Sequence, residues 1–188
     1  MTIVEKILAR ASGKKKASPG EYVTAKIDVA MMPEMFQLLR TVLSKGGIKP
    51  EAIKIWDPER FFVILDHRVP AFAVPNAETQ KSCRELAKKL KVKYFYDVFP
   101  GIGHQIMMEK GHVRPGELIV GADSHTTTYG ALNAAATGIG TSEMAYVIQT
   151  GKLWFRVPET IKFEINGKLP DFVHSKDIIL HVAGKYTC

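Results

Sequence analysis

The chain is 188 residues long, 46% hydrophobic, and carries 26 Lys and Arg against 19 Asp and Glu, a formal net charge of +7. That apolar content suits a substantial core in one ordinary domain, and no run approaches the roughly 20 apolar residues of a membrane-spanning helix. The basic excess is spread along the sequence without the aromatic and basic interleaving of a single-strand platform, so nucleic acid is not expected as the main partner.

In chain order, Thr2-Ile-Val-Glu5 reads as a capping box for a helix whose Val4, Ile7, Leu8 and Ala11 share a face, with Gly13 as its stop. Charges interrupt the apolar positions of this opening segment, unlike a signal peptide, and a cytoplasmic location is expected. Lys14-Lys15-Lys16 reads as an exposed linker before Pro19-Gly20. "EYVTAKIDVAMM" alternates like a strand, and "PEMFQLLRTVLSKGG" reads as a helix opened by Pro33 and closed by a glycine pair. "FFVIL" at 61–65 has the unbroken apolar character of a buried parallel strand. A helix follows that Asn76 would cap, with Leu86 and Leu90 on one face. "VKYFYDV" is the next strand, then a loop with Gly101 and Gly103, then "ELIVGA" after the turn Arg114-Pro115-Gly116. Strands alternating with helices argue for an α/β fold.

The remainder is less regular. Gly138 and Gly140 lack the third member of a dinucleotide fingerprint. They read better as the approach to a helix "EMAYVIQTGKLWF" capped by Thr141 or Ser142, whose free amides suit an anion. "TIKFEINGKL" alternates around Asn166-Gly167 as a hairpin. Ser175 would cap a last helix, "KDIILHVAG", which Cys188 follows so soon that an open apolar face is expected.

Each of the three apolar strands runs into histidine chemistry. "FFVIL" leads to Asp66-His67, "VKYFYDV" to His104, and "ELIVGA" to Asp123-Ser124-His125. In open α/β sheets ligands bind outside the carboxyl ends of the strands. Parallel neighbours would therefore gather His67, His104 and His125 with two aspartates at one edge, as acid-base chemistry requires. His112, His174 and His181 lack this context and read as structural or surface residues.

"GADSHTTTYGALNAAATGIGTSE" at 121–143 closely resembles the signature of the aconitase superfamily, in particular the large subunits of 3-isopropylmalate dehydratase and homoaconitase. "TIVEKILARASG", "LDHRVP", "GIGHQ", "EKGHVRPGELIVGADSHT" and "TGKLWFRVPETIKFEINGKL" carry the same resemblance in order and spacing across nearly the whole chain. It implies an aconitase-like layered α/β fold with a mainly parallel sheet, incomplete at the C-terminus, and residues 1–188 as one N-terminal segment of a catalytic subunit. The implied reaction removes and re-adds water on a 2-hydroxy polycarboxylic acid in leucine or lysine biosynthesis, with a [4Fe-4S] cluster as Lewis acid. By the same resemblance Asp66 and His67 match the pair that protonates the leaving hydroxyl, and His104 and Asp123 match a second pair. Ser124 and His125 match substrate- and water-contacting positions. A small subunit and a small anionic substrate are the implied partners.

The chain also departs from the family pattern. Three cysteines hold the family's cluster, and neither Cys83 nor Cys188 matches a ligand position. Pro33-Glu34 stands where relatives carry a polar His-Asp or Gln-Asp pair, an expected substrate contact, and Asn133 stands where glycine is common. The carboxylate-binding arginines and the serine base are expected on segments beyond the match or on the small subunit. The polypeptide alone is therefore expected to be inactive. Two alternatives remain open at this point: a non-catalytic binding or assembly module, and a mononuclear metal hydrolase using His67, His104 and His125 with an aspartate.

Overall fold

The computed structural model describes residues 1–186, so Cys188 lies outside the described residues. Five short strands form a parallel sheet: β2 (Val29–Met32), β3 (Phe61–Ile64), β4 (Tyr94–Tyr96), β5 (Leu118–Gly121) and β6 (Ala135–Gly138), in the order β4-β3-β2-β5-β6. From β2 the chain steps outward through β3 and β4, then returns to place β5 on the other side of β2. The order reverses there, and such a switch point opens a crevice at the carboxyl ends of the strands.

Both faces of the sheet are covered, which is why its central strands read as unbroken apolar runs. Ala30, Met32, Phe61, Val63, Leu118 and Val120 pack into one core cluster. Helices α1 (Ile3–Ser12), α2 (Leu39–Lys45), α3 (Val74–Leu90) and α5 (Thr141–Thr150) supply many of its other residues. The alternate positions Val29, Met31, Phe62, Ile64 and Ile119 face a second cluster with Ile106 and Met107 of α4 (Gly103–Glu109) and with Tyr129. The capping box of α1 forms as read, and Gly13 closes the helix in the left-handed region at φ 72°.

Five readings are corrected. "EYVTAKIDVAMM" is two strands, since the chain breaks at Ile27-Asp28 and β1 (Tyr22–Lys26) leaves the main sheet to pair antiparallel with β7 (Lys152–Arg156). The helix after Gly140 stops at Thr150 because Gly151 takes φ 66°, so "KLWFR" is β7 instead of more helix. Gly140 is its cap, with no side-chain hydrogen bond from a Thr or Ser. Asn76 does not cap α3: the cap position is Ala73, with Pro75 in the first turn, and Asn76 is buried within the helix. The hairpin around Asn166-Gly167 is absent, and residues 157–174 form no strand. Ile161, Phe163 and Ile165 are exposed, and an isolated two-stranded ribbon without an apolar partner is marginal in water.

The last helix, α6 (Ser175–Tyr186), has no buried residue, and Ile179 and Leu180 lie open as expected. No described helix is long and apolar enough to cross a membrane.

Candidate functional site

The crevice at the switch point is a cleft of about 1100 Å³ whose wall includes Asp66, His67, His104, Asp123, Ser124 and His125. The three segments marked by histidine therefore meet, although β3 and β5 are separated by β2. Asp66-His67 follows β3, His104 enters on the first turn of α4 after β4, and Asp123 follows β5. Asp123 then caps a 3-10 helix, Ser124–Leu132, its carboxylate accepting the His125 N–H at 2.7 Å.

Asp123 is the hub. Its Oδ1 lies 3.0 Å from His67 Nε2 and its Oδ2 lies 2.7 Å from His104 Nε2. Burial alone would push this carboxyl up. The hydrogen bonds from His104, the His125 amide and His67 outweigh burial and bring its pKa down to about 2. His67 has a carboxylate at each ring nitrogen, with Asp66 Oδ1 2.7 Å from Nδ1. Burial opposes its protonation, but the hydrogen bonds to Asp66 and Asp123 prevail and raise its pKa above 6.5. Only a doubly protonated ring satisfies two carboxylates at once, so the geometry stores a proton on His67.

Two glycines let the backbone close around these groups. A Cβ on Gly103 would stand 2.8 Å from Asp66 Oδ2, which the Gly103 N–H donates to instead. A Cβ on Gly138, at the end of β6, would stand 2.7 Å from the Asp123 carbonyl oxygen.

Sequence reasoning missed Tyr129 and marked Glu34 only as a departure from the family pattern. Glu34, the first residue of a 3-10 helix (Glu34–Leu38) that follows β2, is 4% exposed, and its carboxylate accepts the backbone N–H groups of His67 at 3.0 Å and Arg68 at 3.1 Å. The switch-point position of β2 was the signal that would have found it. Tyr129, fully buried, places its hydroxyl 2.9 Å from His104 Nδ1. Ser124 and His125 line the cleft at its mouth, with the His125 side chain 82% exposed. Asn133, in place of a common glycine, takes φ 61°, a region that Asn tolerates best among side-chain-bearing residues.

The donor set for a mononuclear metal is not the histidine trio. Both ring nitrogens of His67 and of His104 are engaged by Asp66, Asp123 and Tyr129. Among the described residues a metal-like grouping appears at Glu34, Asp66 and His67, whose donor atoms already serve one another and the backbone.

Residues 42–188 match the family model described as "Aconitase family (aconitate hydratase)". The chain belongs to the aconitase family. It is 50% identical, over 98% of its length, to a probable 3-isopropylmalate dehydratase large subunit of Methanothermobacter thermautotrophicus, of which it covers 43%. The same identity and coverage of this chain hold for a 3-isopropylmalate dehydratase large subunit of Aquifex aeolicus, 42% of which is covered. A probable methanogen homoaconitase large subunit of M. thermautotrophicus is 44% identical over 98% of this chain and 44% of the relative. The chain thus spans less than half the length of these relatives and corresponds to their N-terminal part.

The family implies a [4Fe-4S] cluster, and the described residues do not fit one. Cys83, their one cysteine, is fully buried in α3 and donates its thiol to the Glu34 carbonyl at 3.3 Å. Burial pushes that thiol up to about 11, whereas cluster ligation needs thiolates.

Proposed function

We propose that residues 1–188 form the N-terminal segment of a hydro-lyase large subunit and contribute the proton-handling half of its active site. The reaction is the dehydration and rehydration of a 2-hydroxy polycarboxylic acid of the 3-isopropylmalate or homocitrate type. One observation carries the reading: His67 lies on the cleft wall with a carboxylate at each ring nitrogen.

Expelling hydroxide from carbon requires a proton on the departing oxygen. His67 supplies it from Nε2, whose hydrogen bond to Asp123 gives way to the departing oxygen, while Nδ1–H stays on Asp66. Glu34 fixes the backbone from which the ring projects, and Asp66 and Asp123 stabilise the imidazolium before transfer. In the hydration direction the neutral ring takes a proton from the entering water. His104 orients Asp123, and Ser124 and His125 contact substrate at the mouth of the cleft.

The substitution of Pro33-Glu34 for the polar pair of relatives does not empty the site, because Glu34 takes up a supporting role toward His67. The aconitase-family relatives named as large subunits imply a small-subunit partner. With no thiolate set of its own among the described residues, the 188-residue chain does not complete the reaction alone.

The test is a chimera in which residues 1–188 replace the matching part of the M. thermautotrophicus dehydratase large subunit, assembled with the small subunit of that enzyme. Hydration of isopropylmaleate supports the proposal. A folded, cluster-loaded chimera with no activity on isopropylmalate-type or homocitrate-type acids overturns it.

A further inference from the structure

We infer that Tyr129 is a positioning residue that locks His104 as the Nε2–H tautomer and thereby aims the Asp123 carboxylate at His67. The inference rests on the reading of Asp123 and His67 as the proton-handling pair.

Tyr129 lies in the 3-10 helix that Asp123 caps, with its ring buried beside Met31, Phe62, Ile64, Ile106 and Met107 in the second core cluster. Its hydroxyl is therefore the one polar atom it brings into an apolar surround, and a buried O–H needs an acceptor. Among the described residues the hydroxyl's partner is His104 Nδ1, at 2.9 Å. Burial, with the nearby Asp123 and Asp66 charges, pushes the phenol well above its usual pKa, so the oxygen keeps its proton and can donate it.

On the other side of the ring, Asp123 can only accept, because it is held as a carboxylate. His104 Nε2, 2.7 Å away, must then carry the hydrogen. The two demands agree on one neutral tautomer: Tyr129 O–H donates to Nδ1, and Nε2–H donates to Asp123 Oδ2. The opposite tautomer would set an Nε2 lone pair against a carboxylate and turn Nδ1–H toward a hydroxyl with no other acceptor. Tyr129 and His104 thus form a rigid strut from the core to Oδ2, leaving Oδ1 for His67. His104 orients in this arrangement and does not itself carry the transferred proton.

Nitrogen-15 NMR of the histidine rings in the 188-residue chain reads the tautomer directly and needs no turnover. Failure of the hydro-lyase reading and failure of this inference are therefore separable. The expected spectrum has a protonated Nε2 and an unprotonated Nδ1 for His104, assigned by loss of the signal in His104→Gln. A slowly exchanging Tyr129 hydroxyl proton should correlate with Nδ1. Tyr129→Phe keeps the ring in the core and removes only the donor. It should shift the His104 tautomer ratio by about tenfold, the equivalent of one ordinary hydrogen bond, while amide dispersion stays native. A merely structural tyrosine would leave the ratio unchanged in the Phe variant, and that result overturns the inference. If Tyr129→Phe fails to fold, the wild-type spectrum decides alone: Nδ1–H on His104 overturns the inference, and Nε2–H with the hydroxyl correlation supports it.

Discussion

Asp123 Oδ1 meets His67 Nε2 at 3.0 Å although 56 positions of sequence separate the two residues. The contact exists because β5 and β3 flank β2 as parallel neighbours, so the residues that follow them emerge on the same side of the sheet. Asp123 also receives His104, and Asp66 holds the far nitrogen of His67. One carboxylate thus joins two imidazoles, and each imidazole has its other nitrogen satisfied.

The pH dependence of stability follows from two shifts of opposite sign. His67 has its folded pKa raised above 6.5, so its contribution is complete below that value and fades as pH rises through the folded pKa. Asp123 has its pKa lowered from 3.8 to about 2, so its contribution is complete above 3.8 and is lost as pH falls toward 2. Urea unfolding across pH should therefore show greatest stability between these limits, with a loss of about 2 kcal/mol on the acid side from Asp123. A stability flat from neutral pH down to pH 2 would contradict the Asp123 assignment.

Asp123→Asn should lower the His67 pKa, because a neutral amide no longer favours the imidazolium. NMR titration of the His67 ring measures this. The same variant should leave the cores intact, since the change is isosteric and lies at the crevice.

Gly138→Ala should destabilise the fold by about 1–3 kcal/mol, the usual range for overpacking. The added methyl meets the Asp123 carbonyl oxygen at 2.7 Å, and backbone on both sides leaves little room to give. Denaturant midpoints, with Gly130→Ala as the control in open space, check the comparison.

Glu34→Gln keeps the shape but replaces a charged acceptor of two backbone N–H groups with a neutral one. A loss of about 1 kcal/mol is expected, together with a lower His67 pKa, since the Glu34 charge also favours the protonated ring. Calorimetry and the ring titration together separate this from a general loss of packing.

Much of this arrangement was legible in the residues. "FFVIL" and "ELIVGA" announced buried parallel strands by their unbroken apolar runs, and their endings in Asp-His and Asp-Ser-His meet at the cleft. The missed strand β6 is Ala-Ala-Thr-Gly, whose small residues carry almost no strand propensity; it is a strand because it pairs with β5 and packs closely against Asp123. β7 was hidden because "KLWFR" continues an apolar helical pattern, and only the positive φ of Gly151 ends it. The supporting roles of Glu34 and Tyr129 escaped for a different reason. Nothing local marks a glutamate or a tyrosine as a partner of His67 or His104; strand order and core packing bring them there.

The most direct test of the central claim is the turnover of the cluster-loaded chimera bearing His67→Asn, compared with the unsubstituted chimera. The account predicts a fall in kcat of at least about a hundredfold, the contribution of a placed general acid, with the fold and cluster content unchanged. A His67→Asn chimera that hydrates isopropylmaleate at the full rate would contradict it.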